Sequence, residues 1–304
     1  MRISTTHIFD RPMAQMARLT ARADQLQAQI GTGKRFATAS EAPAAWQQVA
    51  ALDRAAADQT ADAANVTLAQ GILAQNDSTF AAIETQLRRA GELALSAANG
   101  TLADVDRATI AAELDAILDE LLTLANTRDA RGQPLFGGAS GDRAYARGED
   151  GSIGFVGEGA PSPIPIGGGE SIQATVSGQA VFGGIATAAG STDMFALVAD
   201  LAQALRAGGE GLGTAVSHAI DGIGAAGEQV GAARASLGAR AMRLDLVAER
   251  FEAATLAHAE TRLAIEETDV PTAIAELQKT LTVLQATQAS FTKLSGLSLF
   301  DYLR

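Results

Sequence analysis

Met16-Ala-Arg-Leu-Thr-Ala-Arg-Ala-Asp-Gln-Leu-Gln-Ala-Gln-Ile30 and Ile274-Ala-Glu-Leu-Gln-Lys-Thr-Leu-Thr-Val-Leu-Gln-Ala-Thr-Gln-Ala-Ser-Phe291 stand near opposite ends of the chain and obey one rule. In the first, Met16, Leu19, Ala23, Leu26 and Ile30 recur at spacings of 3 and 4; in the second, Ile274, Leu277, Leu281, Leu284, Gln288 and Phe291 do the same. Each stripe is too narrow to make a core alone, so each needs a partner helix. The two can pair with each other, with neighbouring copies, or both. The pattern predicts a mainly α fold in which both termini form a long antiparallel helical bundle or coiled coil, with a small β domain inserted in the middle. Such a scaffold is built to assemble rather than to catalyse.

Composition agrees. The 304 residues hold one Trp and two Tyr, and Ala is abundant. Ala favours helix and lets helices approach closely, but each buries little area, which suits rods and bundles better than an aromatic-lined pocket. A net charge of −12 argues against nucleic acid as a partner, because no basic stripe can displace phosphate counterions. The local basic excess at Arg2, Arg11, Arg18, Arg22, Lys34 and Arg35 reads as a solvated helix face. The absence of cysteine excludes disulfides, thiol catalysis and Cys-ligated zinc. No apolar run reaches the roughly 20 residues that cross a bilayer, so no membrane insertion is expected. The opening MRISTTHIFDRPM has neither an apolar h-region nor a cleavage site, which leaves export by an uncleaved signal as the open route.

Along the chain, Gly31-Thr32-Gly33-Lys34 breaks the first helix. Ser40 and Glu41 ahead of Pro43 read as a new start. From Ala44 to about Ala98 no Pro intervenes, and Leu73, Asn76, Phe80, Ile83, Leu87, Ala90, Ala94 and Ala97 keep the 3–4 spacing. That helix would be a rod of roughly 80 Å. Asn99-Gly100 ends it. Ile110, Leu114, Ile117, Leu121 and Leu124 mark a following helix, expected to be equally long and to fold back antiparallel. Between Gly132 and Gly190 glycine is dense, Pro161, Pro163 and Pro165 cluster, and short alternating runs replace the helical period. Ser152–Val156 and Ile172–Val176 read as strands, the second with Ile172, Ala174 and Val176 on one face. Ser191-Thr192-Asp193 reads as a cap ahead of a helix carrying Phe195, Val198, Leu201 and Leu205, which stops at Gly208-Gly209. A long tract follows with Leu244, Val247, Phe251, Ala254, His258, Thr261 and Ile265 on one seam, and Thr268-Asp269 before Pro271 reads as an end and a fresh N-cap. The expected division is a terminal coiled-coil domain of 1–35 with 270–304, a helical bundle of 36–131 with 191–269, and a β domain of 132–190.

No catalytic constellation emerges, and no catalytic, cofactor or metal residues are assigned. Gly222-Ile-Gly-Ala-Ala-Gly227 matches GxGxxG, but a dinucleotide site needs a strand before it and a helix opening after it. Residues 212–220 have no strand character. Gly31-Thr-Gly33-Lys34 lacks the earlier Gly of a phosphate loop and has Arg35 in the Ser/Thr place. His7, His218 and His258 show no metal-ligand spacing. Asp119-Glu120 and Glu266-Glu267 read as solvated faces.

Several segments nonetheless resemble one family. Ala97-Ala-Asn-Gly-Thr-Leu-Ala-Asp-Val-Asp-Arg107 with the helix to Asn126, and Gln29-Ile-Gly-Thr-Gly-Lys-Arg35, resemble the flagellin superfamily. Arg128-Asp-Ala-Arg-Gly-Gln-Pro-Leu-Phe-Gly-Gly138, Val181-Phe182, Asp193-Met-Phe-Ala-Leu197 and Leu297-Ser-Leu-Phe-Asp-Tyr-Leu303 resemble its hook–filament junction members. Trp46 and Pro271 depart from the pattern.

The resemblance implies paired terminal helices as an inner layer, a bundle, and a β domain. It also implies a structural adaptor without enzymatic activity, sited outside the cell in the flagellum. Its partners would be a hook-side junction protein, flagellin and copies of itself in a ring. An export chaperone and the flagellar type III apparatus would act before assembly. The expected assembly interface is Phe9, Met13, Met16, Leu19, Leu26 and Ile30 with Ile274, Leu277, Leu281, Leu284, Phe291 and Leu294. The alternatives are a flagellin filament subunit and, from another class, a cytosolic coiled-coil signalling protein, which would need heptads unbroken through 132–190.

Overall fold

The computed structural model describes residues 6–139, 141–188 and 190–302, with side chains described for 10–139, 141–188 and 190–293. The helices are α1 (Thr6–Thr32), α2 (Pro43–Ala97), α3 (Asp104–Ala125), α4 (Gly178–Phe182), α5 (Met194–Ala207), α6 (Leu212–Glu266) and α7 (Val270–Tyr302). Their ends follow local chemistry. Pro43 opens α2, where its missing N–H costs nothing. The Asp193 carboxylate accepts from the Phe195 and Ala196 N–H groups, both at 2.9 Å, and α5 stops at Gly208 with φ +62°. Asp269 likewise accepts from the Thr272 N–H at 3.3 Å and its hydroxyl at 2.7 Å, which opens α7.

The contacts divide the chain into two compact units. One is drawn from residues before Asp58 and after Glu252, the other is Asp58–Glu252. In the second unit α2, α3, α5 and α6 share one core with the glycine-rich region. Along α2 the buried residues include Val66, Ile72, Leu73, Phe80, Ile83 and Leu87, the spacing read from sequence. α3 folds back on α2, with Arg89 paired to Glu113 at 2.9 Å, but it is shorter than expected: 22 residues against 55. It ends because Asn126 leaves the helix to bind an extended segment. Its amide donates to the Tyr145 carbonyl at 3.0 Å, and its Oδ1 accepts from the Ala144 and Tyr145 N–H groups at 3.1 and 3.0 Å.

The β region consists of three separate antiparallel pairs: β1 (Tyr145–Arg147) with β2 (Ile153–Phe155), β3 (Ile164–Pro165) with β4 (Ser171–Ile172), and β5 (Ile185–Thr187) with β6 (Gly190–Thr192). The expected strand over Ile172–Val176 shrinks to Ser171–Ile172. Its facing is as read, with Ile172 and Ala174 buried and Val176 packed on the core. Its ladder is missing because helices take the carbonyls. Asn76 donates to Ala174 at 3.2 Å, and Arg240 donates to Gln173 at 2.8 Å. Gln229 similarly donates to the carbonyls of Val181 and Gly183 at 3.0 and 2.8 Å, closing the end of α4.

Aromatic side chains join this region to the helices. Phe80, Phe136, Phe155, Phe182 and Phe195 are half of the chain's ten phenylalanines, and all gather around Tyr145 or Phe182. Burial pushes the Tyr145 phenol well above its ordinary pKa, with the Asp193 charge adding to it. Gly138, at φ +70°, lies so close to the other arm that a Cβ would stand 2.5 Å from the Gly159 carbonyl oxygen. The Phe136-Gly-Gly138 segment therefore needs glycine at its last position.

α6 approaches α5 through Gly222, where a Cβ would fall 2.4 Å from Leu197 Cδ2; at Gly224 and Gly227 nothing lies within 4 Å. Gly222→Ala is expected to cost about 1–3 kcal/mol by overpacking, whereas Gly224→Ala and Gly227→Ala should stabilise by about 0.5–1 kcal/mol through helix propensity. Chemical denaturation of the three variants measures this. The same glycines lie inside a continuous helix, with no strand before them and no free helix end, so the dinucleotide reading has no structural basis.

Between α2 and α6 the Arg234 guanidinium grips Asp77 at 2.7 and 3.1 Å and Glu84 at 2.9 Å. Hydrogen bonding from Arg234 holds the Asp77 carboxyl below its ordinary 3.8. The stability this lends is present above that ordinary value and is lost as pH falls through the lower, folded value. Arg234→Met is expected to return the Asp77 titration toward 3.8, read by carboxylate NMR, with a stability loss under about 1 kcal/mol because the pair is exposed.

Candidate functional site

The first unit pairs α1 with α7. The helices run antiparallel: the end of α1 meets the start of α7 through the Lys34–Glu267 bridge, while farther along Arg22 meets Glu276 at 2.7 Å. On α1 the inward face is Met16, Leu19, Ala23, Leu26 and Ile30, of which Ala23 and Leu26 are buried and the others half-buried. Burying Leu26 contributes about 1.5–3 kcal/mol.

On α7 the inward face is Ala273, Leu277, Thr280, Leu284, Thr287 and Phe291, a strict 4–3 alternation. Leu277, Leu284 and Phe291 belong both to this face and to the apolar stripe read from the sequence, and all three are half-buried. Ile274 and Leu281 lie one step around the helix, 41% and 37% exposed, with Val283 exposed as well. Met13 on α1 is also exposed, at 57%. The side chains of Phe9 and Leu294 lie outside the described residues, as do those of the Leu297–Leu303 ending. Sequence reading merged two neighbouring stripes of α7 into one, because Ile and Leu signal apolar surface more strongly than the Ala and Thr that form half of the real seam.

Gly31–Arg35 acts as a clasp. Gly33, at φ +70°, turns the chain out of α1 and offers its carbonyl to the Thr268 N–H at 3.0 Å. The Arg35 N–H donates to the Glu266 carbonyl at 2.7 Å, and its guanidinium donates to the Ile265 carbonyl at 2.7 Å. Two backbone bonds, the Arg35 guanidinium bond and the Lys34–Glu266 ion pair at 3.4 Å thus tie the loop after α1 to the end of α6 and the link to α7. Phe36 is buried beyond the clasp with the exposed Trp46 edge-on at 6.3 Å. Arg35→Ala leaves the Ile265 carbonyl, at the end of α6, without its charged donor. We expect a loss of about 1–2 kcal/mol, seen as increased amide exchange in residues 29–35 and 265–269.

His258 sits half-buried on the α6 seam, as its spacing implied, and Thr261 is exposed. Among the described residues no group of three His, Cys, Asp or Glu side chains could hold a metal ion, and no helix is long and apolar enough to cross a membrane.

The second unit has a large buried core, with Phe80, Phe136 and Phe182 fully enclosed, while Leu95, Val105, Val156, Met242 and Leu246 stand exposed on its surface. The first leaves most of its own half-covered or open: Leu256 and Leu263 on α6, Met13 on α1, Ile274, Leu281 and Val283 on α7. A two-helix pair covers only one face of each helix, so these apolar side chains stay open to solvent in the single chain.

Comparison with known proteins identifies the family. The bacterial flagellin N-terminal helical region matches residues 3–140, and the bacterial flagellin C-terminal helical region matches residues 220–303. Flagellar hook-associated protein 3 of Escherichia coli K12 is 27% identical over 326 aligned residues, covering 99% of each chain. Its Salmonella typhimurium counterpart of the same name is 35% identical over 138 residues, a match that spans 45% of this chain and 44% of that relative. The crystal structure of Xanthomonas campestris FlgL has the same fold, with a TM-score of 0.63 at 18% identity over 69% of this chain and 98% of that one. Both helical regions of the family are matched here, paired and clasped within the chain, and the chain belongs to the bacterial flagellin family, where it is similar to flagellar hook-associated protein 3.

Proposed function

We propose that this protein is a structural adaptor of the bacterial flagellum, joining a hook-side junction protein to the flagellin filament through its terminal helices. The carrying observation is the run of exposed and half-covered apolar side chains along α1, α6 and α7 in the first unit, which holds only a few large buried side chains such as Leu26 and Phe36. Copies arranged in a ring would cover that run. The relatives named hook-associated protein 3 favour this role over that of a filament subunit. The assembly residues are Met13, Met16, Leu19, Leu26, Ile30, Ile274, Leu277, Leu281, Leu284 and Phe291, together with Phe9 and Leu294. The proposal keeps the three-part division, with 1–35 and 270–304 as assembly domain, 36–131 and 191–269 as bundle, and 132–190 as β region. Export by the flagellar type III apparatus with a chaperone, and a place outside the cell, belong to the same proposal.

Deletion of the gene, with electron microscopy of the cells and an immunoblot of the medium for flagellin, tests it. Bare hooks with flagellin released into the medium are expected. Bare hooks with no filament protein anywhere would make the chain a flagellin instead, and normal filaments would overturn the adaptor role.

A further inference from the structure

We propose that Asn99-Gly100, the turn between α2 and α3, is a site of spontaneous covalent modification, converting Asn99 through a cyclic imide to aspartate and isoaspartate. The chain has four asparagines, followed by Val66, Asp77, Gly100 and Thr127, so only Asn99 precedes glycine. Asn65 and Asn76 are fixed inside α2, and Asn126 is held by hydrogen bonds to β1. Asn99, Gly100 and Thr101 are all exposed.

The geometry prepares both reacting groups. Asn99 Oδ1 accepts from the Thr101 N–H at 3.2 Å and the Thr101 hydroxyl at 2.8 Å. Two donors on that oxygen draw charge from the side-chain carbonyl carbon and stabilise the oxyanion formed when it is attacked. The Gly100 N–H makes no hydrogen bond among the described residues, and glycine lacks the Cβ that would hinder the nucleophile.

In the first step Gly100 N bonds to Asn99 Cγ, and the side-chain nitrogen leaves as ammonia, carrying the proton lost from Gly100. Water then adds to one imide carbonyl. Opening at Cγ gives aspartate; opening at the main-chain carbonyl gives isoaspartate, with the side-chain methylene now in the backbone. Both products place a carboxylate at the C-terminal end of α2, where the helix dipole is already negative, and ahead of Asp104 and Asp106 in the first turn of α3.

Asp150-Gly151-Ser152 supplies a control with the same local geometry, since Asp150 Oδ1 accepts from the Ser152 N–H at 3.1 Å and its hydroxyl at 2.7 Å. Those hydrogen bonds hold the Asp150 carboxyl below its ordinary range, and an ionised carboxylate is a poor electrophile.

The test is incubation of the folded full chain in mildly alkaline buffer, followed by peptide mapping and isoaspartyl-specific labelling. Modification is expected to accumulate at position 99 about tenfold or more faster than at Asn65, Asn76, Asn126 or Asp150. Gly100→Ala, which has open space for its Cβ, should suppress it by a similar factor, and Thr101→Val should slow it. Equal rates at all four asparagines, or none at Asn99, would overturn the proposal. An unchanged rate in the Gly100→Ala chain would overturn the imide route, and an unchanged rate in the Thr101→Val chain would overturn the activation by Thr101.

Discussion

Ile274→Asp combined with Leu281→Asp is expected to abolish incorporation into the flagellum while leaving the protomer folded. Both side chains are more than a third exposed and stand beside the α1 seam, not in it. In the free chain, surface substitutions of this kind change stability by only about 0.5 kcal/mol each. If neighbouring copies cover the stripe, each carboxylate must instead be buried without a partner. Two such penalties would weaken association by on the order of 10³-fold or more.

Leu277→Asp with Leu284→Asp makes the informative comparison. Those leucines face α1, so their loss should also separate the terminal helices, lowering helicity and raising protease sensitivity in residues 10–32. It too should prevent incorporation while Asp58–Glu252 stays folded. Filaments of normal number and length on cells carrying Ile274→Asp with Leu281→Asp would refute the assembly surface.

The second large effect belongs to Phe182→Ala. Phe182 is fully buried, with ring centroids 5.0 Å from Phe136, 6.0 Å from Tyr145, 6.3 Å from Phe195 and 6.5 Å from Phe80. Truncation removes the ring that these four share and leaves a cavity between α2, α4, α5 and β1. A loss of about 3–5 kcal/mol is expected. Its signature should be local as well as global, because this cluster, and not a continuous sheet, fixes 132–190 to the bundle. Limited proteolysis should cut the variant first within that region. A variant as stable as the parent, or one first cut in α1 or α7, would contradict this account.

Much of the fold was legible because its signals are local. Helix periodicity, the Asp193 and Asp269 caps, and the stops at Gly33, Asn99-Gly100 and Gly208 need only neighbouring residues to act, and the helices fall where those signals stand. The glycine- and proline-rich region was less legible. Its residues face as the alternation predicts, but Asn76, Gln229 and Arg240, distant in sequence, decide where its carbonyls bond. The reading of Asn76 as one more member of an apolar stripe missed that role. The clasp was likewise seen as a family-like turn at Gln29–Arg35, whereas its bonding to 265–268 is a matter of tertiary structure.

The sequence alone determined that both ends are amphipathic helices requiring partners, since a 3–4 repeat of apolar side chains has one consequence for a helix in water. Only the tertiary structure decided which part of each stripe is satisfied within the chain. The antiparallel register set by the clasp turns Ala273, Leu277, Thr280 and Leu284 toward α1 and leaves Ile274 and Leu281 outside. Periodicity fixes the width of an apolar face, but a few degrees of helix rotation fix its centre, and that rotation comes from the packing of small residues against a particular partner.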